Sequence, residues 1–160
     1  MGDINEFPLE VKLFLKVYPW RRVDPTPVTR LSKPLSECKL ALVSSAALIA
    51  PSTPPFDPSN KGGDVTFRTV PSDVDPAVLV DCHPSDHFDH SGLTQDRNVA
   101  FPIDRVRELA AAGRIGAVNH RHLSLCGAIL APGRLIKQTA PEAARWLVQD
   151  GVDVALLCPV

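Results

Sequence analysis

The sequence lacks the features that mark membrane proteins, secreted proteins and nucleic-acid-binding proteins. No apolar run approaches the roughly 18 residues that a membrane helix needs, and the most apolar stretch, residues 40–51, is short and internal. The formal net charge is only −1 over 160 residues, which gives little attraction for nucleic acid or for an anionic lipid surface. We therefore expect no signal peptide, no membrane partner and no nucleic-acid partner.

The cysteines also lack the spacing of a disulfide framework or a zinc site. The four are Cys38, Cys82, Cys126 and Cys158, without any C-x-x-C pair. A disulfide framework is untypical of a chain of this length whose apolar content is an ordinary 44%. We therefore expect a cytoplasmic protein with reduced thiols. Cys158 alone follows a predicted strand, and the other three are predicted to be small buried side chains.

Proline, by contrast, is abundant. Nine of the 16 prolines fall within the first 58 residues. Each proline fixes φ and removes a hydrogen-bond donor, which disfavours helices and inner strands. The sequence therefore predicts an irregular, Pro-rich N-terminal segment at residues 1–34 that packs on the core through its aromatic side chains. Residues 35–160 are then the main domain.

The rest of the chain alternates short strands with helices. Strands are predicted at residues 40–43, 64–70, 78–80 and 152–157, and helices at 103–112 and from a capping box, Thr139-Ala140-Pro141-Glu142, to Gly151. Residues 44–50 read as a turn with a short helix or loop, and residues 84–98 as a polar loop. The alternation predicts an α/β fold, a mainly parallel sheet with flanking helices in Rossmann-like or flavodoxin-like layers.

Two loops of such a fold are candidates for a ligand site, because ligands bind beyond the carboxyl ends of parallel strands. One loop follows residues 78–80, and the other follows residues 152–157. No helix follows the last strand in this sequence. We expect one face of that strand to be poorly covered, which indicates a domain incomplete at its C-terminus.

The loop at residues 83–90 holds the densest group of reactive side chains. They are His83, Asp86, His87, Asp89 and His90. Imidazoles and carboxylates can bind a transition metal or transfer protons near neutral pH, but they also serve as turn caps in solvated loops. A second, weaker cluster contains His120, Arg121 and His122, and a histidine in such a position is more often structural.

A metal-dependent hydrolase is one alternative function. The pattern His87-x-Asp89-His90 resembles the second half of the H-x-H-x-D-H metal motif of metallo-β-lactamase-type hydrolases. Ser85 stands where the first histidine of that motif would be, so the match is broken and we place no metal. A non-catalytic binding subunit is the other alternative.

Several segments, in their shared order, resemble the selenoprotein B family of glycine, sarcosine, betaine and D-proline reductases. The resemblance spans about residues 19–160. It is carried by PWRRVDP (19–25), KPLSEC (33–38), ALV (41–43), HFDHS (87–91), Asp96, Asn98, FPIDR (101–105), His122, Ser124, Gly127, TAPE (139–142) and DGVD (150–153).

The resemblance implies a reductase that cleaves a C–N bond of a small amino acid or of betaine. In the family, the last of these strands leads into a Sec/Cys-Pro-x-Cys loop followed by a helix, and the selenolate or thiolate is the nucleophile. The implied partners are other subunits of a reductase complex, one of which carries a pyruvoyl group in some members. We expect no cofactor in this chain itself, and selenocysteine in the full-length protein.

The sequence departs from the family where the redox loop should begin. It ends Leu157-Cys158-Pro159-Val160, and Cys158 stands before the expected position and lacks a resolving cysteine. We hypothesise that the reading frame was closed at an in-frame UGA that encodes selenocysteine, and that the 160-residue chain is inactive alone.

Four residues are predicted for the site. They are His87, Asp89, His90 and His122, whose positions the resemblance supports. We expect them to line the crevice near the nucleophile, where they could donate protons to a leaving amine or hold a carboxylate.

Overall fold

The structure is a computed structural model that describes residues 5, 7–19, 22–85, 88 and 90–160. The chain forms two compact units, Met1–Arg30 and Leu31–Val160. Among the described residues, no helix is both long enough and apolar enough to cross a membrane.

The described residues of the first unit include a helix in the segment that was predicted to be irregular. Helix α1 spans Leu9–Val17, begins directly after Pro8 and is followed by Tyr18 in an extended conformation. The prolines explain both ends, since Pro8 has a suitable φ for entering a helix and Pro19 disfavours helical backbone at the residue before it. Residues 22–34 contain no helix or strand, as predicted. Packing of this segment on the core stays a prediction.

The second unit contains the sheet. Its strands are β1 (Lys39–Ser44), β2 (Leu48–Ile49), β3 (Phe67–Pro71), β4 (Val80–Asp81), β5 (Ala117–Val118), β6 (Arg121–Leu125) and β7 (Val154–Cys158). Its helices are α2 (His90–Gln95), α3 (Ile103–Ala111) and α4 (Ala140–Gln149).

Strand β1 lies at the centre of a mainly parallel sheet. It pairs in parallel with β5 at its start and with β6 at its end. It also pairs in parallel with β7 over five residues, from Leu40 to Ser44. Strand β3 pairs with β6 in the antiparallel direction. These pairings confirm the predicted α/β fold, while the finer Rossmann-like or flavodoxin-like layering stays a prediction.

The strand predicted at residues 78–80 does not belong to this sheet. Pro76–Val78 form a 3₁₀ turn whose first N–H groups are capped by Asp75, so only Val80–Asp81 remain extended. These two residues pair with β2 in a separate antiparallel sheet. The segment read as a turn at residues 44–50 therefore contains a strand, and the predicted polar loop at residues 84–98 contains α2.

Helix α4 starts differently from the prediction and ends as predicted. Thr139 has helical backbone angles and makes no side-chain cap, because a π-helical turn at Leu135–Thr139 leads into α4. The predicted capping box is therefore not formed. Gly151 has a φ of +71° and ends the helix, which fits its freedom to adopt left-handed backbone.

The core lies around β1 and the elements that cover it. Leu42, Leu123 and Phe101 are almost completely buried, as are Ile103 and Val106 on the predicted inner face of α3. Strand β7 differs, since Leu156 and Leu157 are 42% and 66% exposed. The predicted poor covering of the last strand is therefore confirmed.

A partly buried ion pair attaches the end of α4 to the sheet. The guanidinium of Arg121 donates two hydrogen bonds of 2.8 Å to the carboxylate of Asp150, whose side chain is only 8% exposed. Asn119 donates a further hydrogen bond to the same carboxylate. Arg121 also lies over the ring of Trp146, which contacts Phe67 edge to face. The cluster at residues 120–122 therefore uses Arg121 structurally.

We predict that Asp150→Asn lowers the free energy of unfolding by about 2 kcal/mol at pH 7. The hydrogen bonds from Arg121, then Asn119, hold the pKa of Asp150 at about 2, below its usual 3.8. The unfolded chain therefore binds the proton first as the pH falls, and this stabilisation disappears between about pH 4 and pH 2. Urea denaturation measures both effects. Asp73→Asn, at an exposed carboxylate, is the control, and equal stability of both variants would contradict the prediction.

Candidate active site

A cavity of about 370 Å³ opens at the carboxyl edge of the sheet. Since β1, β6 and β7 are parallel, their last residues lie at one edge, and the cavity is formed by these strand ends and the loops that follow. Residues that line it include Ser44, Ser45, Leu125, Gly127, Cys158 and Val160. This is the position at which open α/β sheets bind ligands.

Ser45 joins the three strand ends that form this cavity. Its N–H donates to the carbonyl of Cys158 at 3.1 Å, and its carbonyl accepts from the N–H of Gly127 at 2.8 Å. Its hydroxyl accepts from the N–H of Val160 at 3.0 Å and lies 3.4 Å from the carbonyl of Val160. Ser45 therefore fixes the path of the chain as it leaves β7.

Gly127 allows this close approach of the three segments. A Cβ atom at Gly127 would lie 3.1 Å from the carbonyl oxygen of Ser45 and 3.3 Å from that of Val160. Those distances are tighter than ordinary van der Waals contact. The absence of a side chain at Gly127 therefore keeps the wall of the cavity compact.

Ala47 connects this edge to the histidine-rich loop. It has a φ of +54°, which is uncommon for a residue other than glycine, and it is completely buried. Its N–H donates to Leu125 and its carbonyl accepts from the N–H of Cys82. The left-handed turn therefore ties the segment after β4 to the end of β6.

Asp81 organises the start of the histidine-rich loop. One carboxylate oxygen accepts the backbone N–H of His83 at 3.0 Å, and the other lies 2.5 Å from Nδ1 of His90. Nε2 of His90 lies 3.3 Å from the carbonyl of Ser85. Both ring nitrogens of His90 are thus engaged within the loop.

His83 lies beside the Asp81–His90 pair. Its ring packs against Phe88 at 4.4 Å and lies 6.3 Å from the ring of His90. Its Nδ1 accepts the N–H of Ser85 at 3.4 Å. Burial lowers the pKa of His83, the nearby Asp81 raises it and His90 lowers it, with a net downward shift. His83 is therefore neutral near pH 7.

A second cavity, of about 280 Å³, brings the histidine-rich loop to the carboxyl edge of the sheet. It is lined by His83, Ser85, Phe88, Gly127, Ala128 and Val160. Gly127 and Val160 line the first cavity as well. The two cavities therefore adjoin at these residues, with strand ends on one side and the loop on the other.

The four predicted site residues do not lie together in one described site. His87 and Asp89 lie outside the described residues, and their predicted roles stay predictions. His90 is paired with Asp81 in the loop beside the second cavity. His122 is completely buried and is not among the residues that line either cavity. Its role in the site also stays a prediction.

His122 completes the hydrogen bonding of the sheet. Leu40 accepts from Asn119 on the β5 side of β1, and Leu42 turns its N–H to the same side. Because the pairing is interrupted between β5 and β6, this N–H donates to Nδ1 of His122 at 3.0 Å. Among the described residues, Nε2 of His122 has no hydrogen-bond partner. Burial, then the charges of Arg107 and His120, lower the pKa of His122 to about 4.

We predict that the protein loses about 3 kcal/mol of stability as the pH falls from about 6.5 to about 4 because His122 must stay neutral. The folded-state pKa lies below the ordinary 6.5, so the unfolded chain binds the proton first. His122→Asn keeps an acceptor near Leu42 but cannot titrate, and it should flatten this part of the stability profile. Urea midpoints at several pH values provide the test. An unchanged slope in the variant would contradict this role.

Three of the cysteines lie where burial disfavours the thiolate. Burial raises the pKa of Cys82, Cys126 and Cys158. Cys38 is completely buried, as predicted, and its thiol donates to the carbonyl of Pro34. Cys158 lines the cavity at the end of β7 but gains no stabilisation of its thiolate there.

Within the described part of the chain, no group of three or more His, Cys, Asp or Glu side chains is placed to hold a metal ion. Two members of the pattern that resembles a hydrolase motif, His87 and Asp89, are outside that part. The metal-dependent hydrolase therefore stays an untested alternative.

Three residues of this site were not predicted from the sequence. Ser45 lies two residues after a predicted strand, and the rule for ligand sites in parallel sheets could have identified it. Asp81 ends β4, and His83 follows it in the densest polar stretch. Their importance depends on contacts with Ser85, Phe88 and His90 that no local pattern specifies.

Comparison with known proteins relates the chain to amino-acid reductases. The family model described as glycine/sarcosine/betaine reductase selenoprotein B matches residues 8–159. The D-proline reductase subunit gamma of Acetoanaerobium sticklandii is 32% identical over 136 residues, which cover 84% of this chain and 54% of that protein. The chain thus spans about half the length of this curated relative. No solved structure gives a significant match.

Proposed function

Because this chain belongs to the glycine/sarcosine/betaine reductase selenoprotein B family, we propose that it forms the scaffold and part of the pocket of a C–N-bond-cleaving reductase. The nucleophile in this proposal is a selenocysteine or cysteine encoded directly after Val160. The substrate is a small amino acid or betaine, and the chain works in the cytoplasm with other subunits of a reductase complex. The name of the D-proline reductase relative makes D-proline the first substrate to test.

The observation that carries the proposal is the path of the chain at the end of β7. Ser45 holds Cys158 and Val160 at the carboxyl edge of the sheet, and Val160 lines both cavities. A residue that follows Val160 would start from the wall between these cavities. It would there be near His83 and the strand ends, where α/β proteins bind ligands.

The proposed nucleophile differs chemically from the cysteines within the chain. A selenol is ionised at neutral pH, whereas the buried thiols of Cys126 and Cys158 are not. In the proposed step, the chalcogenolate forms a bond to the carbon that carries nitrogen. The C–N bond breaks, and the nitrogen leaves with the bonding electron pair and takes up a proton. A dithiol, dithiothreitol in the test below, then reduces the carbon–chalcogen bond: the carbon takes up a proton, the chalcogenol is released and the dithiol becomes a disulfide.

The histidine-rich loop is the proposed source of that proton. His90 has both ring nitrogens directed at Asp81 and Ser85 and therefore anchors the loop. We propose His87 as the proton donor, with Asp89 contributing to the pocket and with His90, which lines neither cavity, holding the loop in place. His122 supports the sheet from within, since its Nδ1 is occupied by Leu42.

We predict that the codon after Val160 is UGA and that the extended chain carries a reactive chalcogenol there. At pH 7, iodoacetamide should modify this residue at least about tenfold faster than Cys158, because ionisation governs alkylation. With partner subunits and dithiothreitol, the extended chain should reduce D-proline or another small substrate, and the 160-residue chain should not. Cys158→Ser is the control and should remain active.

Another codon, or a UGA followed by residues unlike Pro-x-Cys and a helix, would contradict the proposal. Equal alkylation rates at Cys158 and at the new residue would contradict it as well. DNA sequencing and mass spectrometry of the alkylated peptides provide these readings.

We also predict that Ser45→Ala in the extended chain slows alkylation of the proposed nucleophile and substrate turnover by roughly tenfold. The reason is that the hydroxyl of Ser45 orients Val160, the residue before the nucleophile. Ser45→Thr keeps the hydroxyl and should recover most of the rate, while Ser36→Ala, at an exposed serine, should have no effect. Melting temperatures should differ little among the three, and an unchanged rate in Ser45→Ala would refute this role.

A further inference from the structure

We propose that His83 is a binding residue of the carboxyl-edge site, where its ring donates a hydrogen bond to the carboxylate of a small ligand held beside Val160. The identity of the ligand as a small amino acid rests on the proposed function. The existence of a carboxylate site rests on the geometry around His83 alone.

The position of His83 supports this inference first. Its side chain lines the cavity of about 280 Å³ together with Gly127 and Val160, which also line the cavity at the strand ends. His83 therefore lies on the loop side of the space into which the parallel strands point. His90 and His122 do not line either cavity.

The orientation of the ring is fixed from three sides. Phe88 packs against its face, the backbone N–H of His83 is held by Asp81, and Nδ1 accepts the N–H of Ser85. A neutral imidazole whose Nδ1 accepts must carry its proton on Nε2. Nε2 is then the nitrogen left for a ligand, and it offers a hydrogen-bond donor.

The surrounding charges favour a neutral donor at this position. Burial lowers the pKa of His83, and the carboxylate of Asp81 is already engaged by His90 and by the His83 backbone. The Asp81–His90 pair therefore fixes the loop and leaves the ring of His83 available. A neutral N–H on this half-buried side chain can hold a carboxylate without forming a salt bridge, because hydrogen bonds to charged groups are stronger than those between neutral groups.

The test uses the 160-residue chain amidated at Val160, so that no terminal carboxylate occupies the site, labelled with ¹⁵N, and acetate as the probe. Acetate should shift the amide signals of Gly127, Ala128 and Val160 in a saturable manner, and acetamide, its neutral analogue, should not. His83→Ala should weaken acetate binding about tenfold, as expected for the loss of a hydrogen bond to a charged group. His83→Gln, which keeps an N–H donor, should stay within about twofold of the original chain.

Two further variants separate binding from folding. His83→Phe keeps the packing against Phe88 but has no donor, so it should bind acetate as weakly as His83→Ala. His120→Ala, at a side chain that is 68% exposed, should bind acetate normally. Amide signals outside the cavities report whether each variant is folded.

Equal acetate binding by the original chain, His83→Ala and His83→Phe would overturn the inference. Shifts that never saturate, or that spread over the surface, would also overturn it. Since this chain carries no proposed nucleophile, the two failures are distinguishable. If the chain binds acetate through His83 but its extended form reduces no amino acid, only the proposed function is refuted. If the extended form reduces an amino acid but acetate does not bind through His83, only the role of His83 is refuted.

Discussion

Strand β1 forms hydrogen bonds along both of its edges, with β5 and β6 on one side and β7 on the other, and every one of these pairings is parallel. The shared direction places three strand ends at one edge of the sheet. Both cavities, the bonds made by Ser45 and the approach of the histidine-rich loop depend on that arrangement. A reversed β7 would carry Val160 to the opposite edge.

Buried polar groups maintain this sheet. His122 replaces a backbone acceptor for Leu42 where the pairing between β5 and β6 is interrupted, and Asp150 binds Arg121 at the end of α4. Both carry shifted pKa values because of structural contacts. In these two residues, the shifted pKa reflects a structural role in the sheet and does not by itself indicate a ligand site.

Local patterns predicted the elements whose signals are contained in a few residues. Helix α3, the strand at Leu40 and the stop at Gly151 follow from periodicity and from glycine chemistry. The family resemblance predicted the relationship to the selenoprotein B reductases, which the family model confirms. Other local predictions were wrong because tertiary contacts determine those elements. Pairing with β2 removed the strand at Val80 from the main sheet, and the π-helical turn displaced the start of α4.

The site itself was only partly predictable for the same reason. The density of His and Asp residues pointed to the loop that borders the second cavity. Within that loop, His83 lines the cavity, and its position depends on contacts with Phe88, Ser85 and Asp81. Ser45 carries no motif and gains its importance from bonds to residues more than a hundred positions away. Such contacts arise from the topology and not from the local sequence.

The central claim is that the carboxyl edge of the sheet is the site at which the residue after Val160 reacts. A crystal structure of the extended chain, carboxymethylated on that residue with iodoacetate, tests this most directly. The account predicts that the adduct lies in the cavity beside Ser45 and Gly127, with its carboxylate within hydrogen-bonding distance of His83. An adduct that points into solvent, or that lies at the opposite edge of the sheet, would contradict it.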